Sequence, residues 1–276
     1  MRRALGLLSL HFIVLLGVQR TVPLPERLAR YPSVLLGLGR PEVFREVLTQ
    51  AALSASYLGL ALLLAWGLAG ALRRLVRPAL WVLEGTPQFL LLVLGVWGGL
   101  SLTLARGADF PLTPWSPLML GLFTVALALP VAARAALATE EARRQALAAD
   151  HTRTARAMGL SERAVERRAL RVSLAERAGT LSGEVFGLGL ALVVMEGLLQ
   201  FPGLGNTLYV ALQGAFAVRP PGAVPFAPAT GGAAFELQVL SGALLLWLLL
   251  GAWGSALFVR LALRLDPRPR SGEETR

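Results

Sequence analysis

The chain has 276 residues, of which 55% are hydrophobic and only 16% charged, with a mean hydropathy of +0.60. An ordinary soluble domain carries roughly 25% charged residues, so the composition is that of a membrane-embedded protein; the net charge of +10 would otherwise suit a nucleic-acid binder, which the hydropathy argues against. Every one of the 27 basic residues is Arg, and the absence of Cys excludes disulfides, thiolate metal sites and Cys catalysis.

A membrane-crossing helix needs about 20 mostly apolar residues, because its backbone polar groups must be satisfied within the segment once water is gone. Six segments meet that demand: 4–18, 51–72, 79–104, 117–138, 181–199 and 237–263. The predicted fold class is therefore all-α, an integral membrane bundle of six transmembrane helices. The first segment follows the charged head Met1-Arg2-Arg3, as in a signal peptide, but the following QRTVPLPE offers no small-residue cleavage site, so it is read as a retained span. With the N-terminus inside, 20 of the 27 arginines fall on that side and 7 outside. The excess of positive charge then marks both termini as cytoplasmic.

The outer connections are 20–50, 106–116 and 202–236, the last including RPPGAVPFAPATGG. Their Pro and Gly content favours turns and extended chain over helix. Between the fourth and fifth spans lies a contrasting cassette, 139–180, which is polar, Arg-rich and helix-favouring. Asp150 is placed to cap a helix through Met158, Gly159 to take the left-handed position after it, and Leu160 to pack back on Ala155 as in a Schellman motif. Ser161 is a second N-cap, with Glu162 in the first turn where the helix dipole favours an acid. On the second helix Val165, Ala169, Val172 and Leu174 to Ala175 recur at approximately helical spacing, while Arg163, Arg167, Arg168 and Arg171 project elsewhere. Two readings of this cassette stand side by side: an amphipathic connector resting on anionic lipid, or a docking element for a partner.

A charge at the bilayer centre costs about 2.5–3.5 kcal/mol on insertion scales, which makes Glu84, Glu184 and Glu196 functional suspects. Glu84 and Glu184 fall near the inner interface, where a structural role is favoured; Glu196 either caps the turn that follows it or touches a substrate. Gly85 with Pro87 either breaks the third span and exposes carbonyls to a pathway or makes a packing kink. His11 and His151 are too scattered for a metal site, and neither a phosphate-binding loop nor a catalytic nucleophile constellation is present. The chain is expected to be neither an enzyme nor a cofactor binder.

The stretch RTARAMGLSE, 153–162, resembles the signature loop of inner-membrane permease subunits of binding-protein-dependent ABC importers, in the variant of peptide and nickel importers. Arg153, Thr154 and Ala155 stand where the broad family has E-A-A, and Gly159 where it has its Gly; Asp150, Leu160, Ser161 and Glu162 match the peptide branch. A second stretch, MEGLLQFPGLGNTLYVAL at 195–212, is similar to that branch's E-x-x-F-x-x-P-G-L-G through Glu196, Pro202, Gly203, Leu204 and Gly205, with Leu199 in place of the Phe and Phe201 before the Pro. A third, LDPRPR at 265–270, resembles its C-terminal L-D-P-R-x-R. Glu176 stands near a usual Pro and Met158 at a usual Lys. The resemblance covers roughly 51–270.

It implies a first span and outer segment at 1–48, a permease domain at 49–265 and a cytoplasmic tail at 266–276. The loop residues Arg153, Thr154, Ala155, Arg156, Ala157, Gly159, Leu160, Ser161 and Glu162 would couple to an ATPase. Ala155, Ala157 and Gly159 would allow close approach and a sharp turn, and Arg153, Arg156 and Glu162 would fix register. Glu196, Pro202, Gly203, Gly205, Gly85 and Pro87 are candidates for the pathway or gate. The implied partners are a second permease, similar or identical, two ATP-binding cassette ATPase subunits, an extracytoplasmic solute-binding protein and membrane lipid, with no nucleic acid. The implied setting is the inner (plasma) membrane of a prokaryote, and the implied cargo a di- or oligopeptide, with nickel, an amino acid or an opine as alternatives. The outer loop 202–236 is expected to dock the binding protein. A secondary transporter or channel, and a lipid-bound structural protein, are the readings from other classes.

Overall fold

The computed structural model describes residues 2–18, 23–37, 39–107, 109, 113, 116–209 and 232–266. Among them there is no strand. The helices are α1 (Arg2–Val18), α2 (Leu24–Gly37), α3 (Pro41–Leu72), α4 (Arg77–Gly85), α5 (Gln88–Ala105), α6 (Pro117–Ala148), α7 (Asp150–Ala157), α8 (Glu162–Leu199) and α9 (Gly232–Leu265), with a further helical turn at 204–209. Five of them are long and apolar enough to cross a membrane: α3, α5, α6, α8 and the Gln238–Leu265 part of α9. This is the architecture of a multi-pass helical membrane protein. The predicted first span, α1, has 17 residues and reaches about 25 Å at 1.5 Å per residue, short of the roughly 30 Å hydrocarbon core.

Three expectations change. The segment 20–50 contains α2 and the start of α3 rather than turns alone. Tyr31, Val34 and Leu35 share one face of α2 and are wholly or partly buried, and this apolar stripe outweighs the hydrogen bond that Pro32 removes. The predicted span 79–104 is two helices, α4 and α5, because Thr86 and Pro87 are both extended. The spans predicted at 117–138 and 181–199 do not stop at the edges of the cassette 139–180. α6 and α8 run on into it without interruption, and only α7 is inserted between them. At 38 residues, α8 is roughly 57 Å long, far more than a bilayer requires; a drop in hydropathy at residue 180 changes what surrounds the helix without ending it.

Two compact units are distinguishable. The first comprises Met1–Leu58, Asp109–Leu120 and Gly189–Ala252. One of its cores gathers Leu15, Val193, Leu208, Leu240, Leu244 and Leu248, and another Val43, Val47, Ala51, Leu204, Val239 and Ala243. His11 is buried here, with one ring nitrogen 3.0 Å from the Tyr31 hydroxyl and the other 3.0 Å from the Ser241 carbonyl; this hydrogen bonding is the structural role of an otherwise isolated His.

The second unit comprises Gly59–Ala108, Gly121–Leu188 and Trp253–Arg276. Its centre is the Ala-rich stretch of α6, where Ala126, Ala128, Ala132, Ala133, Ala135 and Ala136 are all buried. Small side chains let helix backbones approach closely, the main source of packing energy where lipid supplies no hydrophobic contrast. In α5, by contrast, only 6% of the most apolar window is buried, and Val93, Leu94, Trp97 and Leu102 are exposed.

Candidate functional site

The cassette folds as a tight elbow. α7 begins after Ala149, whose carbonyl accepts the N–H groups of Thr152 and Arg153. Ala149, not Asp150, is therefore the N-cap. Asp150 is the first helical residue and pairs with Arg153 at 3.6 Å, both side chains lying in the open. At the other end the N–H of Leu160 donates to the Ala155 carbonyl at 3.1 Å and that of Gly159 to Arg156 at 2.9 Å. This is the paired pattern of a Schellman motif, and Gly159 has φ +87° as the motif requires. α8 starts at once: the Ser161 carbonyl accepts from Ala164 and Val165, so Ser161 takes the N-cap position.

The elbow is fastened from both sides. Thr152 Oγ1 donates to the Ala146 carbonyl at 2.7 Å and ties α7 to the end of α6. Arg156 and Glu162 close side-on across the Gly159 turn, with Nε and Nη2 donating at 2.8 and 3.3 Å. Ala155 is buried and lines a small cleft with Leu160, Val165 and Ala169, as the predicted Leu160–Ala155 contact requires. Ala155 is thus an internal packing residue, while Arg153, Thr154, Ala157 and Gly159 face outward. As expected, Arg163, Arg167, Arg168 and Arg171 are exposed.

The second matched stretch forms a buried cradle in the first unit. α8 ends in another Schellman pattern, with Gln200 at φ +52°, the Gln200 N–H bonded to Gly197 and that of Phe201 to Glu196. The chain turns at Pro202 and Gly203 and enters the 204–209 helical turn. The Glu196 carboxylate is fully buried and accepts from Ser54 Oγ at 2.8 and 3.0 Å, from the Gly205 N–H at 2.7 Å and from the Asn206 N–H. Ser54 Oγ in turn accepts the Leu204 N–H at 2.9 Å. The free donors at the start of a helical turn are thereby satisfied by one acid and one hydroxyl. Of the two roles open to Glu196, capping is the one this geometry performs. A Cβ on Gly205 would stand 2.6 Å from Val193 Cα, and one on Gly203 would overlap the Glu196 carboxyl.

Gly85 and Pro87 belong to the second unit. At the break between α4 and α5 the Val82 carbonyl accepts Thr86 Oγ1, the Leu83 carbonyl accepts the Thr86 N–H, and the Pro87 carbonyl accepts from Leu90 and Leu91. These carbonyls are therefore already engaged. Glu84 and Glu184 meet on Arg134 of α6: its Nε donates to Glu84 at 3.1 Å and its Nη1 to Glu184. Seven residues along each helix, Arg77 of α4 pairs with Glu141 of α6 at 3.3 Å. In the sequence Arg134 reads only as one of the 20 inner arginines that set the orientation. An Arg inside the apolar run of α6, in a chain whose predicted spans carry Glu84 and Glu184, is the available signal.

The LDPRPR stretch is described only through Asp266, and most of the outer loop, 210–231, also lies outside the described residues. Among the described residues no group of His, Asp and Glu could hold a metal ion. No family model matches the chain, and no curated protein matches it either.

Proposed function

We propose that the chain is a permease subunit of an ATP-driven ABC importer, carrying peptides delivered by an extracytoplasmic binding protein. The observation that carries this reading is the elbow: a short helix turned at a left-handed glycine and seated on the end of a 38-residue membrane-crossing helix. The three sequence motifs, in order on a multi-span helical frame, supply the rest. In this reading α1 is the sixth span, the elbow is cytoplasmic, and it sits in a groove of one of two ATPase subunits. The outward residues Arg153, Thr154, Ala157 and Gly159 make the contact, and the Arg156–Glu162 pair holds the turn in shape. A second permease, similar or identical, completes the pathway. ATPase closure then moves the spans as packed bodies between two arrangements. The chain itself binds no nucleotide.

The test replaces Gly159 with Val. A β-branched side chain is strained at positive φ, so G159V is expected to lose substrate-stimulated ATP hydrolysis and uptake by at least tenfold. Cysteines placed at Arg153 and Ala157 are expected to crosslink to a copurifying ATPase. Full coupling in G159V, or crosslinks that capture no ATPase, would overturn the proposal.

A further inference from the structure

A second arginine inside the helical core, Arg177 of α8, lacks the acid that Arg134 has. It is only 6% exposed. Its Nε donates to Thr139 Oγ1 at 3.3 Å and its Nη1 to the Trp66 carbonyl at 3.2 Å, and its guanidinium carbon lies 5.4 Å from the centre of the Trp66 ring. An Arg has five N–H donors; among the described residues these two bonds are the ones made, and no carboxylate comes within ion-pair distance. The acids beside Thr139 on α6 are committed elsewhere, Glu140 to Arg143 and Arg144, and Glu141 to Arg77. Arg177 also feels the like charge of Arg73. Burying a cation beside another cation, with only neutral acceptors, is unfavourable unless an anion completes the group.

Gly70 leaves room for a group beside the guanidinium. Gly70, half-buried on α3, faces the guanidinium: a Cβ there would stand 3.6 Å from Nη1 and 3.8 Å from Nη2. Arg73 follows one turn later, exposed, and beyond it Leu75, Val76, Trp81 and Val82 are exposed apolar side chains around α4. Basic groups at the end of a span, flanked by exposed apolar and Trp side chains, fit the interfacial level where phosphates lie above acyl chains.

We propose that Arg177 and Arg73, reached through the notch over Gly70, form a binding site for a phosphate oxyanion, supplied by the headgroup of an anionic phospholipid. The proposal does not depend on the transport reading, since it concerns only Arg177, its partners Thr139 and Trp66, Gly70, and Arg73 in the turn after α3.

The full-length chain in nonionic detergent is titrated with phosphatidylglycerol, with phosphatidylcholine and with inorganic phosphate, by native mass spectrometry and by a fluorescent-lipid binding assay. Saturable phosphatidylglycerol binding is expected, weakened at least tenfold both in R73A, an exposed position, and in G70L, which puts a side chain against the guanidinium. R163A, elsewhere on the basic surface, is expected to bind like the unaltered chain. Inorganic phosphate binding with the same dependence on the two variants supports the oxyanion site with a soluble source. Overturning results are no saturable binding of either anion, equal binding in R73A and G70L, or an equal loss in R163A, which would mean diffuse charge attraction.

Discussion

Both ends of α8 border a Schellman turn, yet glycine serves opposite ends there. At the elbow, Gly159 has φ +87° and nothing within 4 Å of the place a Cβ would occupy. Glycine is needed there for its conformation alone. At the far end the left-handed position is filled by Gln200, at φ +52°, and the glycines come just afterwards, where Gly203 and Gly205 press against the Glu196 carboxyl and the α8 backbone. They are needed for space. One turn is open and presents its surface; the other is shut and anchors the chain.

The contrast is best broken at the shut turn. Glu196→Ala is expected to have the largest effect, because it leaves the N–H groups of Gly205 and Asn206 and the Ser54 hydroxyl without their buried acceptor. The loss should reach about 3 kcal/mol or more, read as a fall in thermal unfolding temperature in detergent. Gly205→Ala comes next, at about 1–3 kcal/mol, since its Cβ meets backbone that cannot swing aside. Gly159→Ala should cost only about 1–2 kcal/mol, through the left-handed penalty, and, under the proposed transport function, lower coupled transport more than it lowers the unfolding temperature. The smallest effect has the opposite sign: Gln200→Gly should stabilise by up to about 1 kcal/mol by removing a side chain from a left-handed position. If Gly159→Ala and Gly205→Ala shift the unfolding temperature equally, the distinction between conformation and space fails.

How much of this was legible from the sequence follows the range of the interactions. The elbow was readable because its signals are local: Gly159, Leu160 and Ser161 each act within a few residues. Even there the cap fell one residue early, on Ala149, because an Asp in the first helical turn looks the same in sequence whether it caps or merely precedes its i+3 Arg. Glu196 was marked by its motif, but its cap needs Ser54, 142 residues away, and no local pattern signals that hydroxyl. Arg134 bonds to Glu84 and Glu184, each 50 residues distant. The helix α2 was hidden by its prolines, whose local preference was overridden by the face that Tyr31 presents to His11 and Phe12.

The two ion pairs joining α4 to α6 have opposite polarity, Arg77 to Glu141 and Glu84 to Arg134, and the two helices run in opposite directions through them. Sliding α4 two turns along α6 sets Arg77 against Arg134, or Glu84 against Glu141, like facing like. The short helix is a key with a single seating: it can be lifted off whole, but it has no neighbouring notch to slip into.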